Sequence, residues 1–108
     1  MPNEITRTSL AEALLSRTPP VIFEALPRTH YDDGHIPTAR PLPLEELEAI
    51  VPVVTADKDH AIVVYCASAA CKNSHQAAER IAGLGYTNVA VYPGGKKDWI
   101  EAGLRLEK

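Results

Sequence analysis

The run Ala61-Ile62-Val63-Val64-Tyr65, with Cys66-Ala67-Ser68-Ala69-Ala70-Cys71-Lys72-Asn73 directly behind it, decides how the rest of the chain is read. The first five residues are apolar without polar alternation and rich in β-branched side chains. That is the pattern of a strand covered on both faces inside a parallel sheet. From Ser74 to Leu84 the period changes: Ala77, Ala78, Ile81, Ala82 and Leu84 fall on one side and Gln76, Glu79 and Arg80 on the other, with Gly83 and Gly85 at the close. This spacing predicts an amphipathic helix. A buried strand, a loop of small residues and a helix make a β-α unit, with the strand at the centre of the sheet.

The flanks repeat the alternation. Upstream, Ser9 is a candidate N-cap for a short helix through Leu15, ended by Thr18-Pro19-Pro20, and Val21-Ile22-Phe23-Glu24 reads as a second buried strand. The proline-rich stretch Leu26 to Pro43 is the least regular part, with one helical turn at Tyr31-Asp33 and a short edge strand from Thr38 to Leu42. A helix is predicted over Leu44 to Val51, a strand over Val89 to Tyr92, and a last helix over Lys96 to Ala102. Strands alternating with helices imply right-handed crossovers and an α/β fold: a mostly parallel sheet of about five strands with helices on both faces, in a single domain over residues 1–108.

Composition narrows the function classes. The chain has 108 residues, 45% hydrophobic and 23% charged, with 11 Lys or Arg against 14 Asp or Glu and a net charge of −3. An acidic balance argues against nucleic acid as the partner, because such binding rests on phosphate neutralisation. No stretch nears the length of a membrane span and the first residues lack a signal-peptide core, so the expected compartment is the cytoplasm. The charge is uneven: residues 1–60 hold five basic and ten acidic groups, residues 61–108 six basic and four acidic, a local net of plus two. The two cysteines, Cys66 and Cys71, fall in that basic part and are too few for a disulfide scaffold.

Ligand and reactive groups in open α/β sheets gather at the carboxyl ends of strands, which is where Cys66 stands. Free cysteine is often merely buried, but this position, ahead of a small-residue loop and a helix N-terminus, favours a nucleophile. Backbone N–H groups of residues 67 to 72 can form a nest for an anion, the helix dipole adds partial positive charge, and the same field lowers a thiol pKa. The expectation is therefore a thiolate on Cys66 at neutral pH, with Ala67, Ser68, Ala69, Ala70, Cys71 and Lys72 as the anion-binding loop. Lys96 and Lys97 are candidates to border the same mouth. Cys71 is a candidate redox partner able to resolve an oxidised or persulfidated Cys66. Cys66, Cys71 and His75 do not have the spacing of a common zinc site, and no metal is expected.

These segments resemble the rhodanese-like sulfurtransferase domains. Gly34-His35-Ile36-Pro37-Thr38-Ala39 is similar to the family's Gly-His-Ile-Pro-Gly-Ala segment, and Ile62 to Cys66 to the strand that ends in its catalytic cysteine. Ala77-Ala78 with Leu84-Gly85-Tyr86, then Val89 to Tyr92, then Gly94-Gly95, Trp99 and Gly103 follow in the family's order. The resemblance implies a sulfurtransferase of the thiosulfate:cyanide type. Its Cys66 takes sulfur from a small anionic donor as a persulfide and passes it to a thiol or protein acceptor, without metal or organic cofactor.

The chain departs from the pattern in its loop. Relatives commonly place an Arg near the start of the following helix; here Lys72 is the loop's only cation, and Lys lacks the planar bidentate contact. The loop is also about two residues longer than the common one, as in phosphatase-like relatives that pair Cys with Arg. Glu24 replaces a usual Asp, and Thr38 a usual Gly. The missing Arg supports a second class of function, a catalytically weak module that binds a partner or senses oxidants through Cys66 and Cys71.

Overall fold

The computed structural model describes residues 3–108. Five parallel strands form one sheet in the order β1-β5-β4-β2-β3: β1 (Asn3–Glu4), β2 (Val21–Glu24), β3 (Arg40–Pro41), β4 (Ile62–Tyr65) and β5 (Val89–Tyr92). The buried run is central as expected, with Val63 beside Ile22 on one flank and Ala90 on the other. Strand β1 is an addition to the elements read from the sequence. Two residues beside Ala90 and Val91 are too few to carry a periodicity.

Side-chain alternation sends the sheet's two faces to different helices. Phe23, Ile62, Val64, Val89 and Val91 pack under α3 (Leu47–Val54) and α4 (Asn73–Gly83), meeting Leu47, Val51, Ala77, Ala78 and Ile81. Ile22, Val63, Tyr65 and Tyr92 face α1 (Arg7–Leu14) and α5 (Gly95–Glu101), meeting Leu10 and Trp99. The short α2 (Arg28–Asp32) lies in the proline-rich stretch. Among the described residues no helix is long and apolar enough to cross a membrane.

Three boundaries differ from the sequence reading. Thr6, not Ser9, caps α1: its hydroxyl accepts the Ser9 N–H at 3.1 Å, while Ile5 and Leu10 join one apolar cluster across the cap. The helix predicted from Leu44 opens as a 3-10 turn (Leu44–Glu46) and becomes α-helical only at Leu47, because Glu46 leaves helical torsions at φ −112° and ψ 5°. The edge strand predicted over Thr38 to Leu42 contracts to Arg40–Pro41, since Thr38 takes φ +69° and Pro41 donates no ladder hydrogen bond.

Two positive-φ residues hold the carboxyl edge of the sheet in shape. Gly95, at φ +66°, lets the start of α5 press onto the segment behind β4; a Cβ there would lie 2.3 Å from the Cys66 carbonyl oxygen. Thr38 adopts a left-handed conformation without a glycine's freedom, although it is exposed and donates its N–H to Glu107 Oε1 at 3.2 Å. Beyond α5 the chain returns and pairs Glu107 with His35 through two backbone hydrogen bonds of 2.8 Å.

Substitution at these two sites has opposite signs. Thr38→Gly relieves left-handed strain and stabilises by about 1 kcal/mol after the entropy cost of glycine, raising the melting temperature by about 4 to 8 °C in a domain of this size. Gly95→Ala destabilises by about 3 kcal/mol or more, because backbone rather than a flexible side chain blocks the added methyl. Thermal melts and urea titrations of both variants check the pair.

Candidate active site

Cys66 follows the last residue of β4, and its side chain is 1% exposed. Its position is held from two sides. The Lys96 and Lys97 N–H groups at the start of α5 donate to the Cys66 and Ala67 carbonyls at 3.0 and 2.9 Å. Just beyond β2, the Ala25 carbonyl accepts a 3.2 Å hydrogen bond from Asn73 Nδ2, which anchors the far end of the loop where α4 begins.

The sulfur meets a different set of groups from the nest of amides anticipated. Sγ lies 3.4 Å from the Cys71 carbonyl oxygen, 4.0 Å from that of Ser68 and 3.5 Å from Ser74 Oγ. The Cys71 N–H is unavailable to an anion because it closes a turn onto the Ser68 carbonyl at 3.1 Å. Carbonyl oxygens accept a hydrogen bond from a thiol and repel a thiolate. Burial accordingly pushes the Cys66 thiol above its ordinary pKa, and the nearby Cys71 side chain pushes the same way; the Ser74 hydroxyl and amide pull it down by less. The expected low-pKa thiolate is thus corrected. In this loop conformation desolvation outweighs the helix terminus.

The predicted loop residues divide into two groups. Ser68, Ala69 and Ala70 line an open cleft of about 410 Å³ together with Gly94, Lys97, Asp98 and Glu101. Cys71 is half-buried and turned over the sulfur, and Ala67 is half-buried beside it. Lys72 takes the N-cap position of α4 without a side-chain cap bond, is exposed, and makes no ion pair among the described residues. Lys97 does border the cleft. Lys96 does not: its Nζ turns inward to Glu24 Oε1 at 3.0 Å and donates to the His30 carbonyl, leaving its side chain 14% exposed.

The reason is Glu24, a fully buried carboxylate at the end of β2. A buried charge requires a partner, and Oε1 has two, Lys96 and the Tyr65 hydroxyl at 2.8 Å, while Oε2 has none among the described residues. Tyr65 in turn accepts the Ile36 N–H at 3.0 Å. Burial, with the Glu24 charge behind it, holds both Tyr65 and Tyr31 above the ordinary phenol pKa. His35 stacks on Tyr31 at 3.8 Å between ring centroids and places Nδ1 3.2 Å from the Tyr31 carbonyl, a structural role.

Two residues at the site escaped the sequence. Ser74 looked like the start of a helix, and only the fold turns its hydroxyl onto the sulfur. Glu24 was noted as a replacement in an apolar run, but that run did not reveal Lys96 as its partner. Among the described residues no group of three or more His, Cys, Asp or Glu side chains is arranged to hold a metal ion.

Comparison with known proteins follows from this geometry. No curated protein matches the chain by sequence. The structure is similar to a rhodanese from E. coli solved with anions, at 29% identity and TM-score 0.64, over 72% of this chain and 88% of that one. It shares its fold with the human single-domain sulfurtransferase TSTD1, at 24% identity and TM-score 0.79, over 94% of this chain and 97% of that one. It likewise shares the fold of a thiosulfate sulfurtransferase from Pseudomonas aeruginosa, at 24% identity and TM-score 0.87, over 98% of this chain but only 20% of that longer one. The sequence model of the rhodanese-like domain matches residues 7–102, nearly the whole chain, and the protein belongs to the rhodanese-like domain family.

Proposed function

We propose that this protein is a sulfurtransferase in which Cys66 carries a sulfane sulfur from a small anionic donor such as thiosulfate to a thiol or protein acceptor. The observation that carries the reading is the placement of Cys66 at the carboxyl end of the central strand, beneath a loop that leads into α4. The thiolate attacks the outer sulfur of the donor and releases sulfite, leaving Cys66 as a persulfide. Ser74 Oγ, 3.5 Å away, can donate to the negative sulfur, and Lys97 and Lys72 supply positive charge at the cleft and at the head of α4. The chemistry asks for no metal or organic cofactor. Two free thiols fit a reducing compartment such as the cytoplasm.

One observation favours the second reading, a catalytically weak module that binds a partner or senses oxidants. Burial of the Cys66 thiol, with the Cys71 side chain beside it, raises its pKa and so disfavours the thiolate, and the Cys71 carbonyl oxygen 3.4 Å from the sulfur offers a negative ion nothing to bind. Both readings meet in one physical requirement: reaction needs the loop to turn N–H groups toward the sulfur, or needs pH high enough to ionise the thiol against its surroundings.

Thiosulfate and cyanide mixed with the protein are expected to yield thiocyanate, and Cys66→Ser to yield none. Equal thiocyanate from both proteins, or none from the wild type across the pH range, rejects the sulfurtransferase reading. Because burial raises the Cys66 pKa, the thiolate fraction climbs as pH rises through and beyond the free-thiol range near ~8.5. Alkylation of Cys66 by iodoacetamide, followed by peptide mass spectrometry, should show a midpoint above that of a free thiol. A midpoint below it contradicts the electrostatic account of the loop.

A further inference from the structure

We propose that Cys71 is a resolving thiol, which converts a sulfur carried on Cys66 into free sulfide and leaves the two cysteines joined as a disulfide. This rests on the reading of Cys66 as a sulfur carrier and extends it to the fate of the sulfur. The turn from Ser68 to Cys71 folds Cys71 back over Cys66, so that the Cys71 carbonyl oxygen stands 3.4 Å from the Cys66 sulfur. The Cys71 side chain is close enough to act on the proton equilibrium of its neighbour. Both residues belong to the segment between β4 and α4, whose intervening side chains are no larger than serine. Forming the bond therefore asks for torsion changes within that segment, and for none in the strand or the helix.

Access separates the two thiols. Cys66 is 1% exposed, so a bulky acceptor does not reach a persulfide there without moving the loop, whereas Cys71, whose carbonyl oxygen already meets the Cys66 sulfur, is half-buried. An internal nucleophile competes with an external one at no cost in diffusion or docking. After thiosulfate has loaded Cys66 and sulfite has left, the Cys71 thiol gives its proton to solvent and attacks the Cys66 Sγ. A new Sγ–Sγ bond forms as the bond from Cys66 Sγ to the sulfane sulfur breaks, and the electron pair departs with hydrosulfide. The sulfane sulfur gains two electrons, which the two cysteines lose. Hydrosulfide comes from a stronger acid than a cysteine thiol and is the better leaving group.

The cycle closes when an external dithiol reduces the Cys66–Cys71 disulfide and is itself oxidised to a disulfide. The balanced sum is thiosulfate plus dithiol giving sulfite, hydrogen sulfide and a disulfide. The protein would then be a dithiol-dependent sulfide-releasing enzyme, and the half-exposed Cys71 would be the point at which the reductant attacks.

Anaerobic incubation with thiosulfate alone, followed by intact mass under non-reducing conditions and a sulfide assay, tests this. The wild type is expected to end two hydrogen atoms lighter than it began, with one sulfide released per chain. Cys71→Ser and Cys71→Ala are expected to stay heavier by one sulfur, about 32 Da, and to lose the sulfide signal. Dithiothreitol should then restore the wild type for a further round. A wild type that keeps the added sulfur and releases no sulfide, as the two variants do, overturns the resolving role while leaving the carrier role intact. If neither the wild type nor the variants take up sulfur, the carrier reading falls and this inference with it.

Discussion

A carboxylate without solvent must be met by a cation and by hydrogen-bond donors, and the Glu24–Lys96 pair is where this fold meets that demand. Its two ends belong to β2 and to the first turn of α5, so the pair fixes the helix against the carboxyl edge of the sheet. The backbone N–H of the same Lys96 supports the Cys66 carbonyl. Tyr65 connects the same carboxylate to β4 and, through Ile36, to the proline-rich stretch. Electrostatic necessity at the fully buried Glu24 thus positions the segment that carries the thiol. A buried ion pair adds little net stability over an apolar alternative, but losing one partner is costly because the other charge is stranded.

The candidate site is held in tension between shape and charge. Close packing of α5 onto the loop and of Cys71 over Cys66 shields the sulfur from water, a shelter that the proposed persulfide would need. The same shielding, with two carbonyls facing the sulfur, disfavours ionisation of the thiol, on which the proposed reaction depends. An arginine in this loop would supply a fixed cation to offset that cost, whereas here the Lys72 ammonium remains in solvent. The nucleophile's acidity therefore depends on loop conformation more than on a permanent charge.

Much of this architecture was legible because apolar period reports burial directly. The run Ile62 to Tyr65 is buried at every position, and the stripe Ala77, Ala78 and Ile81 packs where its spacing said it would. What stayed hidden depends on contacts between distant residues or on torsions. Thr6 and Ser9 are both good caps, and only the join with β1 decides between them. Lys96 and Lys97 are equivalent in a sequence, yet the rotation between adjacent helix positions sends the first into the protein and the second to the cleft. The direction of the loop carbonyls around Cys66 is a matter of peptide orientation, to which runs of alanine and serine are indifferent.

The sheet's outer strands bear on how the protein behaves at high concentration. β1 and β3 are each two residues long, and β3 ends in a proline. An unpaired strand edge is a template on which another chain can extend a sheet, and short or proline-blocked edges deny it the row of free N–H and C=O groups that such growth needs. The long, apolar strands most prone to it, β2, β4 and β5, are enclosed on both sides. A partner that approaches this fold must therefore recognise side chains, since the described backbone has almost no open ladder to lend.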